Sequence, residues 1–186
     1  MADRIETHRD MARRMYEVQV EGYKVGRIER HGGWTADGKV HEPYEMTLFS
    51  PKRGDWTVTV TADKPDPNPE FQMYWTGMPD FGIRDYEVFP HEDGWICRMV
   101  YKGTTRDGTE VVAHQVDFAT VDAQGRVVRM EWYTDPNQWL RVWSAASGKP
   151  IEEVSALFNT LDGFQRLIDE TIAGRDARAA AERSGR

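Results

Sequence analysis

Asp117 sits inside Glu110-Val111-Val112-Ala113-His114-Gln115-Val116-Asp117-Phe118-Ala119-Thr120-Val121, a stretch that otherwise reads as a covered β-strand. Alternation places Val111, Ala113, Gln115, Asp117 and Ala119 on one face and Val112, His114, Val116 and Phe118 on the other. A carboxylate among small apolar neighbours is costly unless it is neutral, partnered or chemically employed. Two readings are open: a carboxyl kept neutral as a proton donor, or an ion pair with Arg98 or Arg129. If those arginines face inward, either could itself hold a carboxylate, phenolate or oxyanion. His114 is set mid-strand, and an imidazole exchanges its proton near neutrality with little tuning. Alternation puts it on the face opposite Asp117, so the two share a pocket only across a bulge or from different walls. Its other reading is a histidine in a sheet-packing or dimer layer. Glu42 is a second acid, with His41 before it and Pro43 after it. It is either a base at a pocket mouth or a solvated strand-end acid. Trp34, Tyr44 and Phe49 nearby are the kind of neighbours that lift a carboxylate toward working pH.

Other chemistries lack their sequence signatures. His41, Glu42 and His114 could be assembled on paper, but no HxH or HExxH spacing occurs, so no metal is expected. There is no glycine-rich phosphate loop and no G-x-S-x-G elbow. The single cysteine, Cys97, excludes an internal disulfide and a cysteine-based zinc site. Cofactor-free acid–base work is what remains. Trp75, Trp95, Tyr101 and Trp132 read as core or pocket wall. A load of seven Trp, seven Tyr and seven Phe favours a flat aromatic or polycyclic substrate.

These residues need elements to position them. Glu92-Asp93-Gly94, Asp107-Gly108 and Asp122-Ala123-Gln124-Gly125 are hairpin turns between alternating runs. They predict an antiparallel meander with strands near 84–90, 95–103, 110–121 and 126–134. Upstream, residues 4–30 read as helix, with Gly22 marking a joint between two pieces. Val40 to Phe49 and Trp56 to Thr61 read as strands, and Pro43 confines the first to an edge or end. Asp63 to Pro69 is a loop, and Phe71 to Trp75 is either a short helix or extended. Pro150 opens an amphipathic tail in which Ile151, Val154, Phe158 and Leu161, then Phe164, Leu167, Ile168 and Ile172, form a stripe. The chain thus divides into an α+β domain over 1–148 and a helical extension over 149–186.

Length and charge narrow the partners. A chain of 186 residues fits one main core. A net charge of −7, spread along the chain, argues against nucleic acid and anionic membrane. No apolar run reaches the ~18 residues that a span requires. The charged N-terminus lacks a signal-peptide core, so a cytoplasmic location is expected.

Val40-His41-Glu42-Pro43 and the run from Val116 through Gly125 to Tyr133 resemble the family of nuclear transport factor 2, the ketosteroid isomerases and the SnoaL-like polyketide cyclases. The second run has the family's last hairpin: an acid, four residues, a glycine-containing turn, then a strand ending in aromatics. The resemblance implies an α+β fold, a cone-shaped curved antiparallel sheet wrapped around N-terminal helices. Here the C-terminal helical tail is extra. It also implies roles. Glu42 stands near the family's general base. Asp117 stands where the isomerases keep a protonated Asp, the standing example of a carboxyl held neutral to donate a hydrogen bond. Tyr16, and less directly Tyr23, correspond to a helix-borne tyrosine that donates to the substrate oxygen. His114 is similar to the pocket histidine of SnoaL-like lyases. The implied substrate-binding wall is His41, Tyr44, Tyr23, Trp34, Trp75, Arg98, Tyr101, Arg129 and Trp132. The implied activity is a cofactor-independent lyase on a hydrophobic aromatic small molecule. It would be a dehydratase or a retro-aldol C–C lyase, for instance releasing formaldehyde from lignin-derived diaryl compounds. An isomerase or cyclase, or a non-catalytic binding module, is the alternative, and a homodimer or higher homo-oligomer is expected.

Overall fold

Gly108, with φ of +86°, closes a hairpin at Asp107-Gly108 that only a residue without Cβ enters cheaply. In the computed structural model, which describes residues 2–25, 44–49, 56–60, 69–158 and 160–184, this turn joins the central strands of a meander. The meander comprises β3 (Gly82–His91), β4 (Gly94–Thr104), β5 (Glu110–Val121) and β6 (Val127–Thr134), each antiparallel to the next. All four expected strands are present, within a few residues of their expected ends. Two further strands, β1 (Tyr44–Phe49) and β2 (Trp56–Val60), extend the sheet to the order β2-β1-β6-β5-β4-β3. The β1–β6 pairing is parallel, with Met46 opposite Met130 and Leu48 opposite Trp132. Hairpin signals reveal antiparallel neighbours only, so this contact was not readable from local sequence.

Strand alternation is obeyed along β5. Val111, Ala113, Gln115, Asp117, Ala119 and Val121 are buried, whereas Val112, His114, Val116 and Phe118 are not. The buried face of this curved, unclosed sheet is covered by helices. Helix α1 (Ala2–Val25) lies against β3 and β4. Met11, Ala12, Met15, Tyr16 and Gln19 recur at helical spacing and form its buried stripe. Arg9–Glu6 and Arg13–Asp10 pairs occupy its wet side. His8 Nδ1 lies 2.8 Å from the His91 carbonyl, which ties the start of α1 to the β3–β4 turn. The joint expected at Gly22 is absent. The helix runs through Gly22 to Val25, and Gly22 is buried there. Residues 26–30 of the expected helix lie outside the described residues.

The segment left open at 71–75 is helical, within α2 (Pro69–Gly77). It crosses close to α3 (Pro136–Ser147). A Cβ on Gly77 would sit 2.1 Å from the Ala145 carbonyl oxygen, so only glycine permits this approach. Helix α3 has no counterpart among the elements read above, although its boundary signals are present. Asp135 caps it by accepting from the Asn137 amide at 2.8 Å, Pro136 occupies the first turn, and Gly148 ends it with φ of +72°. The tail forms α4 (Ile151–Leu157) and α5 (Leu161–Ser184). Phe158 and Phe164 bring their rings to 3.7 and 5.3 Å from Trp143 of α3. Each such burial contributes roughly 1.5–3 kcal/mol. The tail is therefore packed on the body through Trp143 rather than trailing from it. Among the described residues no helix is long and apolar enough to cross a membrane.

Candidate functional site

Helix α1 and strand β5 bring together two residues that lie 101 positions apart. The Tyr16 hydroxyl donates to Asp117 Oδ2 at 3.1 Å. Gln115, two positions back on the same strand face, donates its amide to Asp117 Oδ1 at 2.7 Å. From β4, the Trp95 indole N–H points at the Tyr16 oxygen at 3.4 Å. Tyr16, Trp95 and Cys97 are fully buried, Asp117 is 1% exposed, and Gln115 is nearly as enclosed. The result is a short polar chain, Trp95 to Tyr16 to Asp117 to Gln115, in a largely apolar interior.

Burial pushes the Asp117 carboxyl up to about 7, because desolvation penalises its anion. The hydrogen bonds from Gln115 and Tyr16 favour the anion and work in the other direction. Tyr16 is held well above the ordinary phenol range, first by burial and then by the charge of Asp117. Cys97, directly opposite Asp117 in the β4–β5 register, has its thiol pushed up by burial and by the same charge. Of these groups Asp117 alone changes charge near neutrality. As an anion it accepts two hydrogen bonds; as an acid it carries a proton that Tyr16 can pass or orient.

Gln19 lies one helical turn beyond Tyr16 on the same buried stripe. It is 2% exposed, and neither atom of its amide has a hydrogen-bond partner among the described residues. A buried amide left unsatisfied costs on the order of 1–3 kcal/mol. Sequence reasoning gave no role to Gln19 or to the amide of Gln115. For Gln19 the available signal was its three-residue spacing from Tyr16; for Gln115 it was the face shared with Asp117.

The other expected site residues are scattered. His114 is exposed on the opposite sheet face, with Nδ1 3.0 Å from Gln138 Oε1, and its backbone N–H donates to that same oxygen at 2.8 Å. Arg98 faces outward and pairs with Glu87 at 3.2 Å, and Arg129 pairs with Glu131 at 2.6 Å. Neither arginine meets Asp117. Trp75 donates its indole N–H to the Phe81 carbonyl at 3.1 Å. Tyr101 is buried between Phe81, stacked at 5.8 Å, and Trp139, edge-on at 5.3 Å. Trp132 is half-buried and lies opposite Asp117 in the β5–β6 register. Glu42, His41 and Trp34 lie outside the described residues. So do the side chains of Tyr23 and Tyr44, whose backbones belong to α1 and β1. Among the described residues no cluster of three His, Cys, Asp or Glu side chains could hold a metal ion.

No protein-family model and no curated protein matches the chain. Solved structures do resemble it. A phenazine biosynthesis-related protein from Pseudomonas aeruginosa is 13% identical, with 80% of this chain and 92% of that chain covered and a TM-score of 0.48. A protein designated a SnoaL-like polyketide cyclase, from Jannaschia sp. CCS1, is 18% identical over 80% of this chain and 94% of that one, at a TM-score of 0.42. A nuclear transport factor 2-like protein of unknown function from Exiguobacterium sp. 255-15 is 16% identical over 66% and 98%, at 0.40. The α+β arrangement, a helix first and then a curved sheet built on an antiparallel meander, is the one that the resemblance to the SnoaL-like and nuclear transport factor 2-like superfamily implied.

Proposed function

We propose that this chain is a cofactor-independent lyase that acts on an aromatic or polycyclic small molecule by general acid–base catalysis. The observation that carries the reading is Asp117, buried, shifted to about 7 and joined to Tyr16 at 3.1 Å. A buried acid that gains and loses a proton near working pH, beside a phenol that keeps its own, suits proton donation to a leaving or developing oxygen. In a dehydration, the base removes a proton from the carbon next to the substrate carbonyl. The freed electron pair forms the double bond, and the β-hydroxyl takes the Asp117 proton and leaves as water. In a retro-aldol cleavage, the base takes the proton of the substrate hydroxyl. The C–C pair moves into the conjugated system, where Asp117 protonates it, and an aldehyde departs. Glu42 is the base this proposal assigns, on its place before Pro43.

The test is turnover of a panel of aryl β-hydroxycarbonyl compounds by the wild type and by Glu42→Gln, Asp117→Asn and Tyr16→Phe, with melting temperatures measured alongside. The expected result is a loss of about 10²–10⁴ in rate for the first two, with folding retained. Equal turnover by all four proteins would overturn the proposal. The binding-module reading is favoured by one observation: both Asp117 oxygens already accept from internal side chains. Saturable binding of panel compounds without turnover would select it. The expected homo-oligomer belongs to the same proposal. Phe89 and Tyr133, 48% and 44% exposed on the outer sheet region, are the surface that a second copy would cover. Sedimentation of the wild type against Tyr133→Glu tests it.

A further inference from the structure

Eight described arginines lie within 4.0 Å of a carboxylate, as expected in a chain of net charge −7. Arg106, Arg141 and Arg178 are not among them, and unlike Arg4 and Arg183, which also lack such a pair, they share one place. None has a hydrogen-bond or ion-pair partner among the described residues, and all three line one cleft of about 780 Å³. They arrive from three separate places: the β4–β5 loop, α3 and α5. The other charges in the cleft are already engaged. Asp107 accepts from the Thr105 hydroxyl and from the Thr109 amide at 3.3 Å, and these bonds hold its carboxyl below the usual range. Lys149 is bound by Glu153 and Glu170. Three guanidiniums against one carboxylate leave the cleft with an uncompensated positive charge. Its walls are partly greasy: Val111, Ala145, Pro150 and Ile151 line it, the last 42% exposed. No member of the Trp95–Tyr16–Asp117–Gln115 chain does.

We propose that this cleft is a binding site for an amphiphilic organic anion, a small molecule with a flat apolar body and one carboxylate. Guanidinium forks match a carboxylate in bidentate geometry, and the apolar wall takes the body. The site is separate from the proposed lyase chemistry and does not depend on it.

The test is calorimetric titration of the full chain at low salt with 2-naphthoate, 2-naphthylmethanol and inorganic phosphate. 2-Naphthoate is expected to bind saturably, at least tenfold more tightly than either the neutral alcohol or phosphate, and to weaken as salt rises. The R141A/R178A double variant is expected to lose at least tenfold in naphthoate affinity at an unchanged melting temperature, because neither side chain has a hydrogen-bond or ion-pair partner among the described residues. Arg13→Ala, on α1, is expected to bind as the wild type does. Absence of naphthoate binding, equal binding of the alcohol, or full affinity in the double variant would overturn the site. So would naphthoate binding that survives the double variant but is lost in Tyr16→Phe, which would move the ligand to the other locus.

Discussion

Tyr16 and Asp117, one on the first helix and one on the fifth strand, meet at 3.1 Å with almost no exposure to water. Their contact ties α1 to β5, and their burial sets the protonation behaviour of Asp117. The Asp117 carboxyl is raised from 3.8 in its ordinary state to about 7 in the fold. Between those limits the unfolded chain has lost the proton and the folded chain retains it, so stability falls as pH rises through that window and levels off above it. At about 1.4 kcal/mol per tenfold change in proton affinity, the loss approaches roughly 4 kcal/mol. Denaturant unfolding of the wild type and Asp117→Asn from about pH 4 to about pH 8 should show the wild type losing ground steadily against the variant. A gap that stays constant with pH would refute the shift.

Removing the phenol oxygen isolates the other half of the pair. Tyr16→Phe keeps the ring, which lies 5.6 Å from that of Tyr86, but leaves Asp117 Oδ2 without the donor and the Trp95 N–H without the acceptor that the phenol supplies. The expected cost is about 1–3 kcal/mol. The Asp117 anion also loses a stabilising donor, so its titration should move further upward, as followed by carboxyl NMR. A downward move would show that Tyr16 is not donating to the anion.

Gln19 offers a prediction of opposite sign. Its amide has no partner among the described residues, and replacing it with an apolar group of similar size removes a desolvation penalty, so Gln19→Leu should raise the melting temperature, by the equivalent of about 1–3 kcal/mol. A lower melting temperature would mean that the amide is satisfied after all.

The tail is testable through its aromatic contacts. Phe164 is 9% exposed and meets both Trp143 and Phe158, with ring centroids 5.3 and 5.0 Å away. Phe164→Ala should destabilise the whole chain by roughly 3–5 kcal/mol in a single unfolding transition. Loss of tail helicity in a separate, earlier transition would show instead that residues 149–186 fold independently of the body.

Much of the sheet was legible because its signals are local. Gly108 at a tight turn, alternation along 110–121, and Pro150 opening a helix each act within a few residues of chain. The same alternation set Asp117 and His114 on opposite faces of the strand, without saying which face the core covers. The α3 boundary signals are equally local, at Asp135, Pro136 and Gly148. Gly22 misled because an intrinsic propensity was weighed without the packing that overrides it.

What lay beyond the sequence was everything set by long-range approach. Whether Asp117 would meet Arg98, Arg129 or Tyr16 depended on where α1 crosses the sheet, and no periodicity encodes that crossing. The parallel β1–β6 pairing, the burial of Gln19 and the gathering of Arg106, Arg141 and Arg178 along one cleft share this origin. The chain by itself determined which residues share a face of each strand or helix, since side-chain direction follows from backbone period. Only the tertiary structure decided which of them touch, since contact is settled by the packing of elements distant in sequence.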